Sequence, residues 1–247
     1  MYFRFSMTTG GKVMDMKKLV LFYIIIGSIC LPVRAQMYFS DDFEDPAESE
    51  KKWEIITGDW QVGDGVYHQL AAADPWQASM VSADYWKDEW VEYTIEFKVK
   101  PLTEGDAPVN VLFRVQDPVP RVWADRNGPN THMYRWIING WTNTESRPYM
   151  YSEGQSEMLA QANNSLTVGS WHNIRLVVTA TGCAGYVDGQ EMFSVEHAQW
   201  TDGRVGIQAY SGMMDFDDFV VYGPGGPAAV MPAGKISTTW AEVKTGY

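Results

Sequence analysis

The residues from Val91 to Val99, VEYTIEFKV, decide the fold class of this chain. Every second side chain is apolar or aromatic, and the positions between them carry polar side chains, namely Glu92, Thr94, Glu96 and Lys98. Successive side chains of an extended strand point to opposite faces of a sheet, so this pattern predicts a strand with one buried and one solvated face.

The same alternation recurs on both sides of this stretch, within residues 109–115, 174–178 and 205–209. Asp64-Gly65 and Asp188-Gly189 each separate two short alternating runs, which is typical of tight hairpins. Helical periodicity is nearly absent after residue 36. The sequence therefore predicts an all-β fold, a two-sheet antiparallel sandwich of about a dozen short strands.

The N-terminus has the pattern of an export signal. Lys17 and Lys18 precede an apolar stretch from Leu19 to Leu31, and a small residue, Ala35, ends the segment. The 13 residues of that stretch would span roughly 20 Å as a helix, less than the ~30 Å hydrocarbon core of a bilayer. We predict a signal-peptide helix over residues 1–35, with Met16 as an alternative start. The mature chain is then secreted, extracellular or periplasmic, with no integral membrane segment.

Cleavage would also change the cysteine content and the charge. Cys30 leaves with the signal peptide, so Cys183 remains without a partner for an intramolecular disulfide. The mature chain keeps 14 Lys+Arg against 30 Asp+Glu, a formal net charge of −16. Such a chain repels nucleic acid and anionic lipid, whereas cations and neutral sugars remain suitable partners.

The sandwich is expected over residues 36–223. Gly223-Pro224-Gly225-Gly226-Pro227 cannot continue a strand, so residues 224–247 are predicted to form a flexible linker and tail. A short helical turn around Trp240, or a disordered end, are the alternatives there.

Several segments together resemble the concanavalin A-like lectin/glucanase superfamily, and within it the laminin-G-like and 3-keto-disaccharide hydrolase type domains. The matching stretches, in chain order, are 58–62, 64–67, 90–97, 111–114, 171–178, 186–189, 203–208 and 216–221. The resemblance implies a jelly roll in which the first and last strands pair and ligands are held on a concave sheet or by rim loops. In the hydrolase-type domains a glutamate follows the strand resembling Phe113-Arg114, whereas this chain has Met133–Asn139 without one.

The aromatic content favours a carbohydrate ligand, because an indole face can stack on a pyranose while amides and guanidinium groups bond its hydroxyls. If the polar face of residues 110–116 is the concave one, Arg114 would lie at its centre. The long loop 117–131 then forms a rim. The alternative is an ordinary solvated sheet face. The candidate ligand-binding residues are Trp76, Asn110, Arg114, Gln116, Arg135, Asn139, Trp141 and Tyr210.

Two acidic segments suggest a calcium site. One opens the domain and the other opens its last strand, and paired termini would bring them together. Calcium takes six to eight oxygen ligands, and unpaired carboxylates at such spacing repel each other. The predicted ligands are Asp42, Glu44, Asp217 and Asp218. The alternative is exposed acids in an acidic protein.

Three functions are compatible with these patterns. The first is a secreted carbohydrate-binding or adhesion-type sandwich, stabilised by calcium and without catalysis of its own. The second is a glycoside hydrolase or lyase of the 3-keto-disaccharide type, with Arg114 polarising the substrate. The third is a protein-interaction domain. No catalytic residue is identified, since the E-x-D-x-x-E motif of laminarinase-type members is absent and Glu92 and Glu96 lie on a predicted solvated face.

Overall fold

A computed structural model describes residues 36–71, 76–117, 119 and 131–225. The predicted signal peptide and the residues after 225 lie outside this described part. Within it, 16 strands form two antiparallel sheets, and two short helical segments connect strands. The predicted two-sheet antiparallel sandwich is therefore confirmed.

The strands divide equally between the two sheets. Sheet I has the order β14-β13-β12-β6-β16-β4-β3, with β1 also paired to β16. Its strands are β1 (Met37–Asp41), β3 (Trp60–Gly63), β4 (Val66–Gln69), β6 (Tyr93–Pro101), β12 (His172–Thr179), β13 (Gly182–Val187), β14 (Gln190–Val195) and β16 (Met214–Tyr222).

Sheet II has the order β10-β9-β8-β7-β15-β5-β2, with β11 also paired to β9. Its strands are β2 (Trp53–Thr57), β5 (Gln77–Val81), β7 (Val109–Val115), β8 (Met133–Asn139), β9 (Glu145–Ser152), β10 (Gln155–Met158), β11 (Ala162–Asn163) and β15 (Arg204–Ala209).

Both predicted tight hairpins are present. Asp64 and Gly65, with φ of 53° and 72°, connect β3 to β4, and Val62 pairs with Tyr67. Asp188 and Gly189, with φ of 49° and 80°, connect β13 to β14. Positive φ at both central residues matches the right-handed twist of the flanking strands, which is why Asp-Gly marks these turns.

The first and last strands of the described chain pair, as the resemblance implied. Ser40 lies opposite Val220 and Asp41 opposite Phe219. Behind this pair the core is aromatic, with the Trp53 ring 4.9 Å from that of Phe219 and the Phe43 ring 5.2 Å from that of Tyr67. Their burial between the sheets joins the two ends of the chain to the main hydrophobic core.

A buried carboxylate holds the start of the domain in place. Asp41 is buried, and its side chain accepts hydrogen bonds from Ser49 Oγ at 2.8 Å and Trp53 Nε1 at 2.9 Å. The Phe43 amide and the Lys52 ammonium add contacts at 3.2 and 3.3 Å. This one carboxylate therefore ties β1 to the beginning of β2.

A helix that was not predicted from the sequence, α1 (Pro46–Lys52), lies between β1 and β2. Asp45 caps it by accepting hydrogen bonds from the Ala47 and Glu48 amides, and Pro46 occupies the first turn. The Asp-Pro pair was a readable start signal, but the helix has only seven residues and shows too little periodicity to stand out. Among the described residues, no helix is long and apolar enough to cross a membrane.

We expect Asp41→Ala to lower the free energy of unfolding by roughly 2–4 kcal/mol, because the substitution leaves buried hydroxyl and indole donors without an acceptor. Urea denaturation measures the change. Glu50→Ala, an exposed position on α1, is the control and should change the value by less than about 0.5 kcal/mol. Equal effects of the two substitutions would contradict the role of Asp41.

A second prediction concerns Cys183, a buried free thiol. Burial raises its pKa to about 12, against a smaller opposite effect of the Arg114 guanidinium. Since the thiolate is the reactive form, we expect iodoacetamide at pH 8 to label Cys183 at least about 100-fold more slowly in the folded protein than in urea. Mass spectrometry of the Cys183 peptide measures both rates, and similar rates would show that the thiol is accessible.

Candidate functional site

The outer face of sheet II, which points away from sheet I, is not solvated. Every residue of β5, β7, β8 and β15 is buried, whereas β12 of sheet I alternates between buried and exposed positions. An antiparallel sheet in a sandwich commonly packs one face on the core and leaves the other to solvent. The outer face of sheet II therefore departs from a plain surface.

Part of this face is a second apolar cluster. It consists of Ala78, Met80, Leu112, Val115, Val119, Met133 and Tyr151, with Ile56 and Tyr149 packed against it. Val119 belongs to the long loop that follows β7. The remaining part of the face is aromatic and polar.

Aromatic rings and one guanidinium form a continuous array beside this cluster. The Arg135 guanidinium lies 4.9 Å from the Tyr151 ring and 5.1 Å from the Trp76 ring. The Trp76 ring in turn lies 4.4 Å from that of Tyr210, and the Tyr149 ring 6.1 Å from that of Tyr151. Arg135 and Tyr151 are buried, while Trp76, Tyr149 and Tyr210 are partly exposed. The exposed rings are the accessible part of the array.

Two amide side chains lie on neighbouring strands of the same face. Asn110 on β7 pairs in register with Gln208 on β15. The side-chain amide nitrogen of Asn110 donates to the backbone carbonyl of Gln208 at 3.3 Å. The side-chain oxygens of both residues are buried and accept no hydrogen bond within the described part of the chain. Buried acceptors without donors are costly.

Trp141 lies at the edge of this face on α2 (Gly140–Asn143), the connection between β8 and β9. The backbone here is left-handed at four residues, Asn139, Trp141, Thr142 and Asn143, with φ between 52° and 63°. The Arg147 guanidinium lies 3.8 Å from the Trp141 ring and forms an ion pair with Glu145. The Tyr149 ring stacks at 6.4 Å. The exposed indole is thus held in one orientation.

Side-chain hydrogen bonds offset the strain of this turn. Asn139 donates to Asn143 Oδ1 at 3.0 Å and accepts from the Leu166 amide at 2.8 Å. The Thr142 amide donates to Asp106 at 3.3 Å. Left-handed non-glycine residues cost about 1–2 kcal/mol each, and they persist where surrounding contacts over-determine them, frequently at ligand sites.

The placement of Arg114 corrects the sequence-based expectation that it lies at the centre of the polar face. Arg114 has φ of 49°, and the pairing of β7 with β15 shifts register between Arg204 and Gly206. A bulge of this kind interrupts the alternation of the strand. The Arg114 guanidinium therefore points between the sheets, where it donates to the carbonyls of Thr179 at 2.7 Å and Val91 at 3.4 Å. It does not share the face of Asn110, nor could it polarise a substrate there.

The other predicted ligand residues divide into two groups. Gln116 donates to the Asp202 carbonyl at 2.6 Å, and Asn139 stabilises the turn, so both have structural contacts. The structure brings together Trp76, Asn110, Arg135 and Tyr210, with Trp141 at the edge. Gln208, missing from the predicted set, follows from the same alternation, since it stands between Ile207 and Ala209 of the core.

The four predicted calcium ligands lie in adjacent segments but do not gather. Asp218 is paired with Lys98 at 2.5 Å, Asp217 accepts the Asp218 amide, and Asp42 accepts the Glu44 amide. In the part of the chain that the structure describes, no group of three or more His, Cys, Asp or Glu side chains is arranged to hold a metal ion. Calcium binding here stays a prediction, which melting temperatures with calcium and with chelator would test.

Glu92 and Glu96 do not form a catalytic pair. Glu92 accepts the Ala180 amide at 2.9 Å, and Glu96 accepts the Tyr222 hydroxyl at 2.8 Å. Both therefore have structural partners on sheet I, the sheet opposite the candidate site.

Solved structures with the same architecture identify the fold. A carbohydrate binding module, CBM66 from Bacillus subtilis, matches with a TM-score of 0.53 and 11% identity, over 69% of this chain and 94% of that one. The metal-free carbohydrate recognition domain of Emp46p matches with a TM-score of 0.60 and 10% identity, over 75% and 96%. SCLam, a non-specific endo-β-1,3(4)-glucanase from family GH16, matches with a TM-score of 0.53 and 12% identity, over 78% and 93%. The fold is a concanavalin A-like jelly-roll sandwich.

At the sequence level, the chain is similar to part of an extracellular exo-α-L-arabinofuranosidase from Streptomyces chartreusis, with 29% identity over 153 residues. The match covers 62% of this chain and only 16% of that enzyme. No family model matches the chain.

The strained turn of the jelly roll gives a testable prediction. Asn139→Ala removes two hydrogen bonds and leaves a side chain at φ of 62°, so we expect unfolding free energy to fall by about 2–3 kcal/mol. Asn139→Gly loses the same hydrogen bonds, but glycine adopts a left-handed backbone without strain. Its free energy of unfolding should therefore be about 1 kcal/mol higher than that of Asn139→Ala. Urea denaturation of both variants measures the difference. Equal stabilities would show that the left-handed backbone is not strained.

Proposed function

We propose that this domain is a secreted carbohydrate-binding module that holds a glycan on the outer face of sheet II without cleaving it. One observation carries the proposal: this face presents the partly exposed rings of Trp76, Tyr149 and Tyr210, with Trp141 at the edge, and buried amides and a guanidinium lie beside them. Ring faces stack on sugar rings, and amides bond hydroxyls as both donors and acceptors.

The distribution of carboxylates on this face favours binding over hydrolysis. Among the described residues, Glu54 on β2 and Glu145 on β9 are the strand carboxylates that point to this face, and each forms an ion pair with an arginine. Glu157 on β10 pairs with Met150, a residue of the core between the sheets, and so points to the other face. Five strand spacings separate β2 from β9 in the sheet order, or roughly 24 Å. Glycoside hydrolysis by two carboxylates needs them about 5–9.5 Å apart.

The export part of the proposal is supported by the apolar stretch and small-residue site at the N-terminus, and by the extracellular description of the Streptomyces relative. The fold supports a carbohydrate ligand, since two of the structural neighbours are described as a carbohydrate binding module and a carbohydrate recognition domain.

The second candidate is a glycoside hydrolase. It is favoured by the likeness to part of an arabinofuranosidase and by the fold it shares with a glucanase. Release of sugar from an oligosaccharide by the purified protein would support this candidate against the first.

Glycan-array screening of the purified protein, followed by calorimetric titration of the strongest ligand, tests the binding proposal. We expect Trp76→Ala and Tyr149→Ala each to weaken binding at least about tenfold, or about 1.4 kcal/mol, because each removes a stacking surface. Trp171→Ala is the control, since this indole is more exposed than either ring, at 40%, but lies outside sheet II. Circular dichroism checks folding. Binding that survives both substitutions would contradict the site, and no binding to any glycan would contradict the function.

A further inference from the structure

A groove lies on the outer face of sheet I, on the side of the sandwich opposite the candidate site. Its volume is about 760 Å³, within the range of roughly 300–1,000 Å³ typical of ligand pockets. Its lining includes Tyr186, Asn173, Arg175, Glu96, Lys98 and Asp218. None of these side chains belongs to the site on sheet II.

Strand register places these side chains in two adjacent rows. Arg175 on β12 pairs with Tyr186 on one side and Glu96 on the other, so these three point to the same face. In the next row Asn173 pairs with Lys98. The rows cross three neighbouring strands and so form a continuous polar floor.

A bulge in β16 shapes the far end of the groove. The pairing with β6 shifts register between Asp217 and Val220, and Asp218 has φ of 50°. At the same point β16 changes its other partner from β4 to β1, since β4 pairs through Phe216 and β1 from Phe219 onwards. Ser40 and Asp42 from the β1 side line this end.

All but one of the charges that line the groove are paired, which leaves the groove close to neutral. Arg175 Nε lies 3.3 Å from Glu96, and their side chains are 52% and 37% exposed. Lys98 Nζ lies 2.5 Å from Asp218, with side chains 41% and 40% exposed. Lys52, which is ion-paired with Asp41, and the separate carboxylate of Asp42 complete the charged lining. Three positive and four negative groups give it a formal net charge of −1. A strongly anionic or cationic ligand would meet repulsion here from one half of the lining.

The chemistry of this lining selects a polyhydroxylated ligand. A sugar hydroxyl can donate a hydrogen bond to a carboxylate and accept one from an ammonium or guanidinium group. A lining in which acidic and basic side chains alternate can therefore form both hydrogen bonds. The partly exposed Tyr186 ring supplies an apolar surface, and the Arg175 guanidinium, 5.5 Å from the ring centre, limits stacking to one side.

We propose that this groove is a second glycan site, selective for neutral sugars and independent of the face of sheet II. The proposal shares its ligand class with the proposed function but uses different residues. Two sites on opposite faces would let one domain join two glycan chains, and binding to a polysaccharide would then gain from multivalency.

The test uses the purified protein with the sheet II face disabled by Trp76→Ala combined with Tyr149→Ala. The probes are neutral gluco-, galacto- and arabino-oligosaccharides on an array, alongside uronate-containing ones, with calorimetric titration of the best ligand. We expect this variant to retain binding to at least one neutral glycan. Adding Tyr186→Ala or Arg175→Glu should weaken the retained binding at least tenfold, whereas adding Trp171→Ala should leave it unchanged.

The outcomes separate the two sites. Loss of all binding in the disabled variant overturns the second site and leaves the first. Retained binding that Tyr186→Ala and Arg175→Glu do not change, or that is restricted to uronate-containing glycans, also overturns it. If wild-type binding resists the sheet II substitutions but is lost in Tyr186→Ala, the groove is supported and the sheet II proposal fails. If the wild-type protein binds no glycan, both proposals fail.

Discussion

Burial of both faces of sheet II is the constraint on which the functional interpretation depends. Its central strands have no solvated side, so their outer residues must satisfy one another as core residues do. Apolar groups achieve this in the second cluster around Leu112 and Met133. The polar groups are only partly hydrogen-bonded, because the side-chain oxygens of Asn110 and Gln208 accept no hydrogen bond from the residues that the structure describes.

Closure of the sandwich depends on a different set of contacts. The chain must return to its own beginning to pair β16 with β1, and a long loop closure of this kind is entropically unfavourable until the contacts form. The Asp41 network and the aromatic cluster of Phe43, Trp53 and Phe219 supply those contacts at one place. The described chain has no disulfide, so these polar and aromatic contacts hold its two ends together.

Alternation in the sequence predicted the fold well, because side chains of a regular strand point to opposite faces in turn. Val91–Val99 became β6 with a shift of two residues, and both Asp-Gly pairs became hairpin turns. The same rule failed at Arg114, where one left-handed residue moved the side chain to the other face. Arginine has no preference for a left-handed backbone, so the bulge at Arg114 could not be predicted from the sequence.

The candidate site was predictable in its residue types but not in its surroundings. Alternation tells which residues share a face, yet it does not tell whether that face meets solvent, and for sheet II it does not. Likewise, the acidic segments at the two termini lie on paired strands as the resemblance implied. Their carboxylates take separate partners, a lysine on β6 and nearby backbone amides, which the sequence of either segment does not encode.

The pairing of β1 with β16 also places the two ends of the sandwich side by side. The Gly223 amide donates to the Gln36 carbonyl at 2.8 Å, so the chain enters and leaves the sandwich at neighbouring points. A domain with adjacent ends can be inserted into, or appended to, a larger protein without distortion. Because both ends are anchored at one corner of the sandwich, such an attachment would occupy little of its surface.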